Sequence, residues 1–247
     1  MATSALDYSA AGVPVRQDLR DTHVAMLEHL RTPGSWFTGA ERLAIAAESR
    51  NALACPLCLE RKASLSPEQP AGNHARASDL PEAVVEIAHR IRLDPQRLSK
   101  AWFDRVQKEG LDEGPFAELV GVVTFTAGLD YFCRSLGIPA FPLPDPAPGE
   151  PSGYRPEGLR SGIAWVSMLA PEDATGPEAD LYEGAFVPNI ARALSLVPAH
   201  VRVLMHESAT HYVAMGKIPD PNERLDLDRL QMELVAARVS AMNECFY

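Results

Sequence analysis

The sequence predicts an all-α protein built as two related helical halves in tandem, and three observations lead there. Ala and Leu clearly outnumber the β-branched Ile and Thr, a balance that favours helix. Apolar residues recur at helical spacing between stretches punctuated by Gly and Pro. Two segments 190 residues apart, Thr38–Cys55 and Asp228–Cys245, open with the same cap pattern and reach a cysteine at the same distance.

Residues 1 to 18 carry little pattern and read as a loose arm. Asp21 to Leu30 has Val24, Leu27 and Leu30 at helical spacing and stops before Thr32-Pro33-Gly34. Thr38-Gly39-Ala40-Glu41 is a capping box, in which the hydroxyl and the carboxylate each satisfy an otherwise unpaired amide, so a helix follows through Arg50. Ser66 to Ser78 is polar and turn-rich and reads as a loop. Asp79-Leu80-Pro81-Glu82 is a second start signal, opening a helix to about Arg92. Leu98 to Val106 and Pro115 to Gly137 are further helices, the second long and mostly apolar. Phe141 to Pro156 is too rich in proline for helix and reads as extended chain. Val187 to Leu196, Ala199 to Met215 and Leu227 to Cys245 complete the helices. The implied organisation is an arm with a short helix (1–35), a first half (36–140), a proline-rich connection (141–160) and a second half (161–247).

At 247 residues, with 46% hydrophobic and 23% charged side chains, the chain can bury a core without disulfide staples. A net charge of -10 excludes a basic groove for nucleic acid and a basic helix on a membrane surface. Met1 to Val13 lacks a positive region followed by an apolar run, and no uninterrupted apolar stretch of membrane-spanning length is evident, so a cytoplasmic location without membrane partners is expected. In a reducing compartment a close cysteine pair reads as catalytic, redox-sensing or metal-binding. Cys133, inside the apolar run Val120 to Leu136, reads instead as a core thiol.

The pair is Cys55-Pro56-Leu57-Cys58. This spacing sets two sulfurs one helical turn apart. Pro56 suits the first position of a helix, which places Cys55 at the N-terminus, where unpaired amides stabilise a thiolate. Cys55 is therefore expected to be the more exposed, lower-pKa, attacking thiol and Cys58 its partner. A packed pair without chemistry and half of a zinc site stay open. Zinc takes four ligands, and no second Cys-x-x-Cys or His-x-x-x-His pair is present, so no metal is expected.

Glu48 is a candidate acid, on the same helical face seven residues before Cys55. About 10 Å of helical rise separates the two, so proton transfer would need a bend or a water. Glu41 is explained as a cap and Glu60 as an exposed acid. His74, in the loop after the dithiol, can fold back over it; His89 sits within the next helix. His206 with His211, and His23 with His29, are spaced too far round a helix to form a metal face.

In the duplicated segments, Thr38 aligns with Asp228, Glu41 with Gln231, and Leu43-Ala44-Ile45-Ala46-Ala47 with Glu233-Leu234-Val235-Ala236-Ala237. With the dithiol, this pattern resembles the alkylhydroperoxidase (AhpD-like) and carboxymuconolactone decarboxylase superfamily, in particular its two-half members. The resemblance covers most of residues 36 to 247, with Trp102, Tyr154, Trp165 and Asn189 to Pro198 adding to it. Such proteins place a glutamate twelve residues before the first cysteine and a histidine four after the second. Glu233 and Cys245 match the first pair, while the remaining two positions fall past Tyr247. Around Cys55 and Cys58 the glutamate position holds Leu43 and the histidine position Lys62. The resemblance implies an AhpD-like helical fold and a homo-oligomer that reduces hydroperoxides, regenerated by an external thiol reductant and without an organic cofactor. It also leaves a decarboxylase-like lyase, or a non-catalytic redox-sensing partner, as alternatives.

Overall fold

The computed structural model describes residues 6–183, 187–243 and 245. Helices dominate: α1 (Gln17–Arg31), α2 (Gly39–Asn51), α3 (Pro56–Ala63), α4 (Glu82–Leu93), α5 (Lys100–Lys108), α6 (Glu113–Ser135), α7 (Asn189–Arg192), α8 (Pro198–His211) and α9 (Arg229–Met242). Among the described residues the strands are β1 (Leu159–Arg160) and β2 (Met168–Leu169), an antiparallel pair with Leu159 opposite Leu169. The fold class is all-α.

Local chemistry explains most boundaries. The Thr38 side chain accepts from the Glu41 amide while Glu41 reaches back to Thr38, and Asp228 and Gln231 do the same at α9. Asp112 caps α6, which ends before Gly137, a residue at φ 68° in the left-handed region that glycine occupies without strain. Helix α4 starts at Glu82 with Pro81, not Asp79, in the cap position. Helix α7 is a single turn over Asn189–Arg192, shorter than the expected Val187 to Leu196. The arm is not loose throughout: buried Tyr8 places its hydroxyl 2.8 Å from His23 Nδ1 and its ring edge-on to Phe141.

Helices α2, α4 and α6 pack mutually, and α1 packs on α2, α6 and α8. One apolar cluster joins Tyr8, Leu27, Ile45, Val85, Trp102, Leu119, Leu169 and Val201, drawing on both sides of the proline-rich stretch. That stretch is extended and strapped down, with the Ala147 amide 2.9 Å from the Arg31 carbonyl and the Gly153 amide 2.8 Å from that of Ser35. Cys133 lies in the same core.

Helix α6 has the length and apolarity to cross a membrane, with a mean hydropathy of 1.3, but 61% of that window is buried inside the protein. Neighbours on several sides account for its apolar character. Close approach is possible because the helix carries glycines: a Cβ at Gly121 would lie 2.2 Å from the His200 ring, and one at Gly114 2.4 Å from Trp36. Asp130 of α6 binds Arg50 of α2 at 2.8 Å and Arg92 of α4 at 3.3 Å. This clamp holds together the two helices that carry Glu48 and His89.

Candidate active site

Helix α2 ends at Asn51 and a tight turn, Ala52–Ala54, carries the chain to Cys55. Cys55 is extended (φ -69°, ψ 119°) and caps α3, with Pro56 at the first helical position. The Leu59 amide donates to the Cys55 carbonyl at 3.0 Å, which starts the helix and carries Cys58 one turn along the same face. The local reading of the dithiol therefore holds.

Cys55 is not the more exposed thiol. It is 0% exposed and Cys58 4%. The segment after α3 folds back over the pair, fastened by Asn51 donating to the Ala75 carbonyl and by Arg61 donating to the Pro70 carbonyl at 3.4 Å. This return delivers His74, which lies 3.7 Å from Cys55 Sγ and 3.4 Å from Cys58 Sγ through Nδ1. From α4, His89 brings its own Nδ1 to 3.3 Å from Cys58 Sγ. Two sulfurs and two imidazole nitrogens thus converge, all within 4.8 Å of one another.

Each imidazole is held from behind by a carboxylate. His89 Nε2 lies 3.0 Å from Glu48 Oε2, and His74 Nε2 lies 2.7 Å from Glu86 Oε2. Glu48 also accepts from the Ala77 amide at 2.9 Å and the Ser78 hydroxyl at 2.6 Å, while Glu86 accepts from Arg61 at 2.6 Å. Burial works against the Glu86 charge, but His74 and Arg61 outweigh it and hold the group at about 2. Burial likewise opposes the Glu48 charge, and Ser78, His89 and Ala77 overcome it to leave the pKa below the ordinary value. An ionised carboxylate can only accept, so each Nε2 carries a proton and each neutral imidazole turns an Nδ1 lone pair towards sulfur.

The two thiols are made unlike by the same surroundings. Burial raises the Cys55 pKa, yet hydrogen bonds to its thiolate from the Cys58 amide, from His74 once that ring has taken a proton, and from the Ala75 amide bring it below the ordinary thiol value. Burial together with the neighbouring Cys55 pushes Cys58 up to about 12. Burial disfavours charge on His74, but Glu86 and Cys55 more than compensate, leaving it easier to protonate than a free imidazole. His89 moves the other way, because burial outweighs its contact with Glu48.

The cluster therefore unites Cys55, Cys58, His74 and Glu48. Glu48 reaches the sulfurs through the His89 ring rather than through a helix bend or a water. Sequence reasoning placed His89 only as an isolated helical histidine and missed Glu86. A signal for both was present: Glu86-Ile87-Ala88-His89 sets an acid and an imidazole one turn apart on one helical face. The expectation of no metal ligand rested on the lack of a second close pair in sequence, and the fold assembles such a pair from residues 16 and 31 positions beyond Cys58.

Glu233 and Cys245 lie elsewhere. Glu233 accepts from the Tyr212 hydroxyl and pairs with Arg229, while Cys245 is exposed in a cleft with Lys62, Leu93 and Tyr131. Histidines of α1 and α8 meet across the helix interface, His23 with His211 at 3.0 Å and His29 with His200 at 2.7 Å. The apolar cavity beside α6, lined by Phe116, Val120, Ile163 and Trp165, shares no lining residue with the dithiol cluster. Compared with family models, curated proteins and solved structures, the chain gives no significant match.

Proposed function

We propose that this chain is a thiol-dependent redox protein that reduces hydroperoxides through Cys55 and Cys58. One observation carries the assignment: both sulfurs face acceptor nitrogens of imidazoles whose tautomers are set by carboxylates, buried Glu48 and half-buried Glu86. His74 takes the Cys55 proton, and the thiolate attacks the distal oxygen of a hydroperoxide. The O–O bond breaks, the alkoxide leaves as alcohol with the proton returned from His74, and Cys55 becomes a sulfenic acid. His89, backed by Glu48, then takes the Cys58 proton. The Cys58 thiolate displaces hydroxide from the Cys55 sulfur, the proton completes a water, and the disulfide closes. An external thiol pair supplies the two electrons and two protons that restore both thiols.

Because both sulfurs are buried, the segment between Ala63 and Glu82 must open for the peroxide to enter. A reducing cytoplasm is the compartment in which such a dithiol would cycle. The same reading includes a homo-oligomer, and the exposed Leu230, Leu234 and Met242 of α9 give an assembly an apolar surface to cover.

The test is steady-state hydroperoxide consumption with a dithiol reductant. The native chain is expected to turn over, and Cys55→Ser together with Cys58→Ser to fall to the uncatalysed rate. Turnover of a lactone acid by that double variant would support a lyase instead. A native rate no faster than that of a free thiol would reduce the site to a redox sensor.

A further inference from the structure

We propose that the reduced protein binds one Zn2+ at Cys55 Sγ, Cys58 Sγ, His74 Nδ1 and His89 Nδ1, and that the zinc-bound dithiol and the disulfide are alternative states of one site. Binding stands on ligand geometry alone, and only the release step below rests on the peroxide reading.

The donor set is the one tetrahedral zinc prefers, two thiolates and two imidazoles. Bond lengths of about 2.3 Å to sulfur and about 2.0–2.1 Å to nitrogen give tetrahedral S–N edges near 3.6 Å. Three of the four S–N separations are 3.7, 3.4 and 3.3 Å, within a few tenths of an ångström of that edge, and all four ligand atoms lie within 4.8 Å of one another. Among the described residues, this is the group of His, Cys, Asp and Glu side chains whose ligand atoms converge in this way, and all four are buried.

Orientation separates this cluster from a chance gathering of polar side chains. Both imidazoles point Nδ1 inward, and both are fixed from behind by Glu86 or Glu48 at Nε2. Such carboxylate–histidine pairs set the tautomer and raise the basicity of a metal-binding imidazole. Charge also balances. Two thiolates neutralise the dication, which lets the assembly sit in a buried site without an uncompensated charge. The ligands come from a helix N-terminus, a returning loop and a second helix, so the ion would tie the 64–80 segment to α3 and α4 and keep the cover over the sulfurs closed.

Zinc and disulfide exclude each other, because a disulfide offers no thiolate. With a hydroperoxide the exchange is balanced: two zinc-bound thiolates, ROOH and two protons give the disulfide, ROH, water and free Zn2+. The sulfurs lose two electrons and the peroxide gains them. Bound zinc would therefore hold the dithiol reduced until an oxidant or a stronger chelator removes it.

The experiment uses the full chain, reduced and stripped by a chelator, titrated with zinc chloride against a colorimetric competitor and separately with Co2+. One equivalent of each is expected, with Co2+ giving thiolate-to-metal charge transfer and tetrahedral d–d bands. His74→Ala with His89→Ala should abolish stoichiometric binding and remove the tetrahedral Co2+ signature. Since truncating buried imidazoles can unsettle the fold, Glu48→Gln and Glu86→Gln serve as conservative variants, each expected to weaken affinity about 10–100-fold. Binding well below one equivalent, or unchanged in the histidine and glutamine variants, would overturn the site. Adding stoichiometric hydroperoxide to the zinc-loaded native chain should release one Zn2+ per disulfide. Tight zinc binding without peroxide oxidation in the stripped protein would retain the metal site and remove the peroxidase, and the opposite pair of results would do the reverse.

Discussion

Helices α2 and α9 begin alike and end in different chemistry. Both open with a closed capping box, and each leads to a cysteine the same number of residues from its cap. Yet α2 buries Arg42, Leu43, Ile45, Ala46, Glu48 and Ser49 against its neighbours, whereas α9 buries only Met232 and leaves Leu230 82% exposed. Cys55 sits under a returning loop, beside two acid-backed imidazoles; Cys245 faces solvent. A helix start and a cysteine spacing are local properties, but the reactivity of the sulfur comes from what packs around it.

That contrast can be broken most directly at the cysteines. Cys55→Ser should bring hydroperoxide turnover down to background, while Cys245→Ser leaves it near the native rate. Equal losses in both variants would mean that the α9 cysteine shares the chemistry. Next in size is the acid. Glu48→Gln removes the carboxylate behind His89 and should slow disulfide closure by about 10²-fold or more in rapid-mixing kinetics. Arg238, at the aligned position in α9, should tolerate Arg238→Gln without a change in rate.

Stability offers the third comparison. Ile45 is fully buried and Val235, its aligned partner, is 56% exposed. Ile45→Ala should cost about 2–5 kcal/mol in denaturant unfolding, and Val235→Ala within about 0.5 kcal/mol of nothing. The smallest effect concerns the caps. Thr38→Ala should lower global stability by about 1 kcal/mol. Asp228→Ala should loosen α9 by a similar amount, with the loss appearing in amide exchange of that helix rather than in the global transition.

The same contrast explains what could be read from the chain. Both capping boxes, the Pro56 helix start and the helix stop at Gly137 depend on neighbours a few residues apart, so spacing and residue type sufficed. Glu48 was visible as an acid on the correct face, but not its route to sulfur, because His89 enters from α4 through packing held by Asp130 and its two arginines. Glu86 escaped notice for a related reason: its partner His74 arrives on a loop whose return follows no short-range pattern. The expectation of an exposed Cys55 failed there too, since helix-end chemistry described the sulfur's electrostatics but not the cover laid over it. Lys62 holds the position where the resembled proteins carry a histidine. In this fold the imidazoles come from outside that helix altogether.

The claim that Cys55 and Cys58 form the working dithiol is tested most directly by treating the reduced, metal-free chain with one equivalent of hydroperoxide and mapping every thiol by mass spectrometry. A Cys55–Cys58 bridge is expected, with Cys133 and Cys245 still reduced. Cys55 and Cys58 remaining as free thiols, or Cys245 bridged to either of them, would contradict it.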